Sequence, residues 1–371
     1  MAWTAFEEAA MRQALDVARR GAGRVEPNPM VGAVVAAPAD GTIVGTGWHD
    51  RFGGPHAEVA ALAAAGRAAQ GATLFVTLEP CCHHGKTPPC TDAIRTAGIS
   101  RVIVATGDPN PEVSGRGIAA LRAAGIAVET GLLERESARL IAPFAKLVAT
   151  QTPWVIVKWA MTLDGRMTLP ASAAGRWISS AESRALVHEL RGRSDAILTG
   201  VGTALADDPL LTARPAGPRV PLRVVLDSEA RLPPDGRLAR STDAAPLLVA
   251  VGPAAPAERI RRLESAGAEI WTSTAADRDA RLRGLLAELG RRRITNLLVE
   301  GGRRVLGSFA SLDAVDEVWA FIAPRIVGGD PGDDLAPHGP GPVELRDVHV
   351  EAIDRPGGDL LVRGLVRKPP A

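Results

Sequence analysis

The chain has 371 residues, enough for two domains that each bury a core of their own. Its 43 basic and 42 acidic residues leave a net charge of +1, which gives no whole-chain electrostatic footprint for nucleic acid. With 46% hydrophobic and 23% charged residues and no apolar run long enough to span a bilayer, the composition is that of a soluble globular protein, so no membrane partner is expected.

Residues 6–21 read as an amphipathic helix, with Ala9, Met11, Ala14, Leu15 and Ala18 on or near one face and Gly21 ending it. No basic-then-apolar leader stands at Met1, and three cysteines suit a reducing compartment better than a disulfide framework. A cytoplasmic location is therefore expected. Pro27 and Pro29 fix the chain around Asn28 before a buried strand reaches Val35. An asparagine held this way can present its amide to the edge of a heterocycle; a turn asparagine is the alternative. Residues 42–48 form a hairpin partner, and a loop then leads to His56-Ala57-Glu58 at a helix start, the helix ending near Gly66. A strand over 72–78 runs into Glu79-Pro80-Cys81, and Cys90 follows Pro88-Pro89 where a second helix opens. Residues 101–106 are a strand, 114–125 a helix and 126–128 a last strand, so the first half is an α/β layered domain.

His56, Cys81 and Cys90 make a three-ligand set for one zinc ion per chain, leaving the fourth position open as in a catalytic site. Two thiolates and a neutral imidazole cancel the charge of the ion. Helix-terminal N–H groups should favour the Cys90 thiolate. Glu58 lies too close to His56 in sequence to share the metal comfortably. Its useful role is to move a proton from zinc-bound water to the substrate and then to a leaving amine. The H-x-E…P-C layout is that of zinc deaminases of nucleobases, although eight residues, 82–89, separate Cys81 from Cys90 in place of the usual two. Cys82 is the runner-up to Cys81. His83 and His84 read as loop residues or supporting donors. The bland alternative is a buried reduced pair of cysteines beside a helix-capping glutamate.

Residues 132–146 read as a helix and 148–153 as a linker, which sets a boundary near 150 and gives domains over 1–150 and 151–371. Residues 154–160 form a buried strand carrying Lys158, and Asp164-Gly165 is a turn signal. Ser179 or Ser180 caps a helix. Residues 196–203 read as a strand ending in glycines, with further strands at 222–228 and 246–251. Residues 294–299 run into Glu300-Gly301-Gly302, with a helix over 305–312. Strand, glycines and a helix start can hold a phosphate through backbone N–H groups, while a simple turn is the alternative. There is no G-x-G-x-x-G, so a Rossmann dinucleotide site is not indicated.

The motifs His56-Ala57-Glu58, Thr77-Leu78-Glu79-Pro80-Cys81-Cys82-His83-His84-Gly85-Lys86-Thr87-Pro88-Pro89-Cys90 and Pro27-Asn28-Pro29 with Val31-Gly32 resemble the bifunctional deaminase–reductase family of riboflavin biosynthesis. Lys158-Trp159-Ala160-Met161-Thr162-Leu163-Asp164-Gly165, Trp177-Ile178-Ser179, Leu205-Ala206-Asp207-Asp208-Pro209-Leu210-Leu211-Thr212 and Glu300-Gly301-Gly302 are similar to the reductase half of the same family. The resemblance implies an N-terminal cytidine-deaminase-like three-layer domain with zinc on His56, Cys81 and Cys90 and Glu58 as proton shuttle. It implies a C-terminal dihydrofolate-reductase-like α/β domain that uses NADPH. By the same resemblance Ala160, Trp177, Thr203, Asp207, Ser228 and the run Gly302, Arg303, Arg304, Val305, Leu306, Gly307 and Ser308 contact the cofactor. The resemblance also implies that Arg191, Leu211, Arg214 and Glu300 face a small phosphoribosyl pyrimidine, with arginine forks suited to its phosphate, and Asn28, Lys158 and Gly175 are further candidates to contact it. Gly175 stands where the family usually carries a serine, in a loop one residue longer, with Ser172 or the backbone as replacement. Lys158 either anchors substrate or assists proton delivery, or else snorkels from a strand end. A homo-oligomer is expected. A monofunctional deaminase of the family, with its reductase half altered at Gly175, and a nucleoside or RNA deaminase are the competing readings.

Overall fold

The computed structural model describes residues 2–38, 41–83, 88–111, 113–169, 177–328 and 347–366. They form two compact units, one ending at Gln151 and the other beginning at Thr152.

The first unit carries helix α1 (Ala5–Ala18), strands β1 (Gly32–Ala36) and β2 (Ile43–Trp48), helix α2 (Ala57–Ala65), strand β3 (Thr73–Leu78), helix α3 (Cys90–Thr96), strand β4 (Arg101–Thr106), helix α4 (Arg116–Ala123), strand β5 (Ala127–Thr130) and helix α5 (Glu134–Thr150). The sheet order is β2-β1-β3-β4-β5, with β1 antiparallel to both neighbours and β3, β4 and β5 parallel. Strand alternation explains the three layers. Val34, Ala36, Phe75 and Ile103 pack with Met11 and Ala14 of α1 on one face. Ala33, Val35, Leu74, Val76, Val102 and Val104 pack with Ala57, Ala61, Ile94 and Leu121 on the other. Helix α2 lies so close on β2 that a Cβ at Gly45 or Gly47 would stand 2.3 Å from the backbone of Ala61. The expected three-layer α/β domain is present. One boundary differs, because α5 runs to Thr150 and takes Val148, Ala149 and Thr150 out of the expected linker. Gln151, at a φ of 55°, turns the chain out of the helix.

The second unit carries β6 (Trp154–Thr162), α6 (Ala181–Arg193), β7 (Ala196–Gly200), α7 (Val201–Asp207), β8 (Leu222–Leu226), β9 (Leu247–Val251), α8 (Ala257–Ser265), β10 (Glu269–Thr272), α9 (Arg278–Arg291), β11 (Asn296–Val299), α10 (Arg303–Ser311), β12 (Glu317–Ala323), β13 (His349–Asp354) and β14 (Leu360–Leu365). Among the described residues, nine strands align as β10-β9-β8-β7-β11-β6-β12-β14-β13. Strands β10 through β12 are parallel, and β14 and β13 add antiparallel pairs at the edge. The central parallel strands are near-continuous apolar runs, as strands covered on both faces must be, while the edge strand β10 is partly exposed. Ser180 caps α6 by accepting the Ser183 N–H. Val201, Gly202 and Thr203 open helix α7 and do not extend the preceding strand as expected, since Gly200 is already the N-cap. Strand β11 lies between β6 and β7, and this break in strand order places a crevice at the carboxyl ends of the strands. No helix among the described residues is long and apolar enough to cross a membrane.

Candidate metal centre and cofactor cavity

His56 is the extended N-cap of α2, Cys81 follows β3 and Cys90 is the first residue of α3. Three separate elements thus deliver one donor atom each, all within 4.8 Å of one another. His56 Nδ1 stands 3.5 Å from Cys81 Sγ and 3.3 Å from Cys90 Sγ. Ligands at zinc–nitrogen and zinc–sulfur distances around a tetrahedral ion stand about 3.6 Å apart, so the donor set fits zinc without rearrangement. Cys82 is outside this cluster, and His84 lies outside the described residues.

The helix N-terminus acts on the other thiol from the one expected. The backbone N–H of Cys90 donates to Cys81 Sγ at 3.4 Å, because Cys81 lies off the start of α3 while Cys90 is part of it. With the ligands facing each other, the Cys90 side chain and this N–H bring the Cys81 thiol down to about 4. The Cys90 thiol, hydrogen-bonded to Cys81 and buried, is pushed up. A hydrogen bond with Cys81 raises His56.

Glu58 sits in the first turn of α2, 3% exposed, its carboxyl against Cys90. Burial raises it to about 7. Asn28 is half-buried, with its Nδ2 3.3 Å from His49 Nε2, and His49 Nδ1 is 2.9 Å from the Pro55 carbonyl. The two bonds select the His49 tautomer with a proton on Nδ1, which donates to Pro55, and Nε2 accepts from the Asn28 amide. Burial lowers the His49 pKa, in keeping with this neutral form. Its ring meets that of His56 edge-on, with centroids 5.4 Å apart. No spacing rule singles out His49; it emerges only when the hairpin end folds beside α2.

Glu79, also without an assigned role in the sequence, is 3% exposed and holds four backbone N–H groups. Its Oε1 accepts from Gly117 at 2.9 Å and Ile118 at 3.1 Å, and its Oε2 from Gly115 at 2.9 Å and Asp108 at 3.4 Å. The carboxylate thereby ties the start of α4 to the Pro80-Cys81 turn. Its placement directly before Pro80 was the available signal.

In the second unit a cavity of about 1360 Å³ opens along the carboxyl ends of the parallel strands. It is lined by Lys158, Ala160, Trp177, Arg191, Thr203, Asp207, Leu211, Arg214, Ser228 and Glu300, and by Gly302, Arg303, Arg304, Val305 and Ser308. Leu306 and Gly307 are not in the wall. They occupy the opposite side of α10, with Leu306 in the core, as helical spacing within the run requires. Gly175 and Ser172 lie outside the described residues.

The Arg191 fork closes on Glu300, with Nε 2.6 Å from Oε1 and Nη2 2.8 Å from Oε2. A compensated pair, not a free phosphate fork, therefore faces the cavity at this point. Lys158 Nζ is 3.9 Å from the same carboxylate. Burial works against the Glu300 charge, yet Arg191 and Lys158 hold it below the usual carboxylate range, while burial lowers Lys158. Burial and the neighbouring Arg191 and Arg237 lower Arg214, so Arg214 and Arg237 form a crowded cationic pair suited to an anion. Arg237 also lines the cavity and carried no motif signal.

The fit to a dinucleotide rests on close backbone approach. A Cβ at Gly301 would stand 2.8 Å from Val305, which lets α10 begin directly at the end of β11. Gly302 N–H donates to Thr203 Oγ1 at 3.1 Å, joining the starts of α7 and α10 at the cavity edge. Adjacent helix starts of this kind favour a diphosphate.

Residues 4–106 match the profile of the cytidine and deoxycytidylate deaminase zinc-binding region, and residues 153–356 that of the RibD C-terminal domain. The chain is 43% identical over 320 residues to riboflavin biosynthesis protein RibD of Aquifex aeolicus, covering 86% of this chain and 87% of that one. To the Escherichia coli protein of the same name it is 39% identical over 344 residues, 87% and 89% of the two chains. Among solved structures it is similar to Acinetobacter baumannii RibD, with a TM-score of 0.83, 34% identity, and 97% and 98% of the chains covered. It is also similar to the diaminohydroxyphosphoribosylaminopyrimidine deaminase/5-amino-6-(5-phosphoribosylamino)uracil reductase of Thermotoga maritima, with a TM-score of 0.82, 36% identity and the same coverage.

Proposed function

The chain belongs to the bifunctional RibD family of riboflavin biosynthesis, and from that premise we propose how its two units and their side chains divide the work. The enzyme is a zinc-dependent deaminase and an NADPH-dependent reductase. It converts 2,5-diamino-6-(5-phosphoribosylamino)pyrimidin-4(3H)-one to 5-amino-6-(5-phosphoribosylamino)uracil and then reduces the ribosyl group to a ribityl chain.

We assign deamination to residues 1–150 and reduction to residues 151–371. His56, Cys81 and Cys90 hold the zinc, which when bound makes a water nucleophilic near neutral pH. Glu58 takes a proton on its carboxylate and returns it to the leaving amine, a transfer that typically contributes ~10²–10⁴-fold. The Asn28 amide, steadied by His49, meets the edge of the pyrimidine. In the reductase half, Ala160, Trp177, Thr203, Asp207, Ser228 and the cavity-facing members of the 302–308 run would hold NADPH, which would supply hydride to the sugar C1′ once the C1′–O4′ bond has opened to the imine, the N–H proton passing to O4′ and a solvent proton completing the amine. Leu211, Arg214 and the Arg191–Glu300 pair position the phosphoribosyl substrate, and Lys158 anchors it beside Glu300. Gly175 is assigned to the substrate from the motif alone. The protein acts on a small molecule in the cytoplasm, engages neither nucleic acid nor membrane, and is a homo-oligomer.

The observation that carries this reading is the convergence of three donors from three elements with a buried carboxyl against them. The test is to incubate the zinc-loaded protein with the diaminopyrimidinone ribosyl phosphate and follow product mass. Deamination without NADPH, and a further gain of two hydrogens with it, is expected. Absence of ammonia release overturns the roles given to His56, Glu58, Cys81 and Cys90; deamination never followed by reduction overturns those in the second unit.

A further inference from the structure

The cavity extends beyond the residues that the sequence motifs account for. Past Ser228 it continues over β9 and β10 to α9. There its wall is a single stripe of α9, Arg278, Arg281, Leu282 and Leu285, at the i, i+3, i+4, i+7 spacing of one helix face. Trp271 of β10 also lines this end, and its ring packs so near α9 that a Cβ at Gly284 would stand 3.4 Å from it. The far end of the cavity is thus an apolar, aromatic slot with two guanidinium groups beside it.

The charge of these groups is only partly matched. Arg278 pairs with the exposed carboxylate of its chain neighbour Asp279 at 3.2 Å. Arg281 donates to the carbonyls of Ala275, at 3.4 Å, and Ala276, and among the described residues has no carboxylate partner. Those carbonyls hold the guanidinium in place without neutralising it. Both arginines belong to the first turn of a 14-residue helix, whose positive end reinforces them.

We propose that this end of the cavity takes the adenosine of the dinucleotide, the adenine lying in the slot and the 2′-phosphate on Arg281 and Arg278, so that these two residues set the preference for NADPH over NADH. The inference rests on the reading of the second unit as a dinucleotide-dependent reductase. A 2′-phosphate monoester carries about two negative charges, and the planar arginine fork matches its oxygens. The position agrees as well. From β11, which ends at the start of α10, to β10 there are four strand steps, roughly 19 Å at the spacing of a sheet. An extended dinucleotide with its diphosphate at α10 can bridge that span.

The test uses the full chain and two probes, adenosine 2′,5′-bisphosphate and 5′-AMP, with calorimetry as the readout. The unsubstituted protein binds the bisphosphate at least about tenfold more tightly than 5′-AMP. Arg281→Ala, and further the double variant with Arg278→Ala, removes that advantage, whereas Arg281→Lys retains part of it. The KM for NADPH rises in parallel with the loss of bisphosphate affinity. A variant that keeps the full advantage, or loses both probes equally, overturns the assignment to these arginines. An unsubstituted protein that shows no preference for the 2′-phosphate overturns the underlying NADPH reading, and the inference with it.

Discussion

Replacing Glu79 with Gln tests whether the metal centre is held by a group that never touches the metal. The carboxylate accepts four backbone N–H groups, two on each oxygen. An amide of the same shape keeps two of these and turns an NH₂ toward the other two donors. Two lost charge-assisted bonds, at roughly 1.5–3 kcal/mol each, give a loss of about 4 kcal/mol. For a unit of this size that lowers the unfolding midpoint by about 8–16 °C. Because Cys81 is two residues from Glu79, the loosened turn should also weaken zinc binding, by about 10–100-fold if it behaves as other supporting contacts do. Differential scanning calorimetry of the full chain, with zinc competition against a chromogenic chelator, reads both effects. Reduction of supplied 5-amino-6-(5-phosphoribosylamino)uracil should persist, since Glu79 has no partner in the second unit among the bonds described. A midpoint within about 2 °C of the parent, with zinc affinity unchanged, refutes the reasoning, because the four bonds would then be worth nothing in place.

Three further outcomes follow from the two sites. Glu58→Gln is expected to keep one zinc per chain by elemental analysis while ammonia release falls ~10²–10⁴-fold; concurrent loss of zinc would instead make Glu58 a ligand. Cys81→Ser and Cys90→Ser should each release the metal, whereas Cys82→Ser retains it, and a zinc-free Cys82→Ser protein would mean that the neighbouring thiol had been wrongly excluded. Glu300→Gln strips Arg191 and Lys158 of the carboxylate they share, leaving two largely buried cations without a counter-charge. A loss of about 3–5 kcal/mol in the second unit is expected by denaturant titration, and an unchanged midpoint would show that water already compensates them.

The sequence determined the chemistry, because its motifs are local. Proline and helix-start signals put His56, Cys81 and Cys90 at the ends of elements, and the short spacing from His56 to Glu58 kept the carboxylate off the metal while leaving it nearby. Strands with apolar runs were legible for the same reason, as β4 and β6 illustrate. Between residues 229 and 293 the motifs thin out, and no motif marks α8, β10 or α9; in β13 five of six residues are exposed, the apolar Val350 and Ile353 among them, so its pattern marks no buried face. Tertiary structure decided which group acts on which. It aimed the N–H of Cys90 at Cys81, placed His49 between Asn28 and Pro55, and closed the Arg191 fork on Glu300, 109 residues away. It also turned one face of α9 into the far wall of a cavity whose other wall begins at Lys158. Periodicity specifies which side of an element is apolar, but the partner of a polar side chain is fixed only when distant elements pack, and no spacing within the chain encodes it.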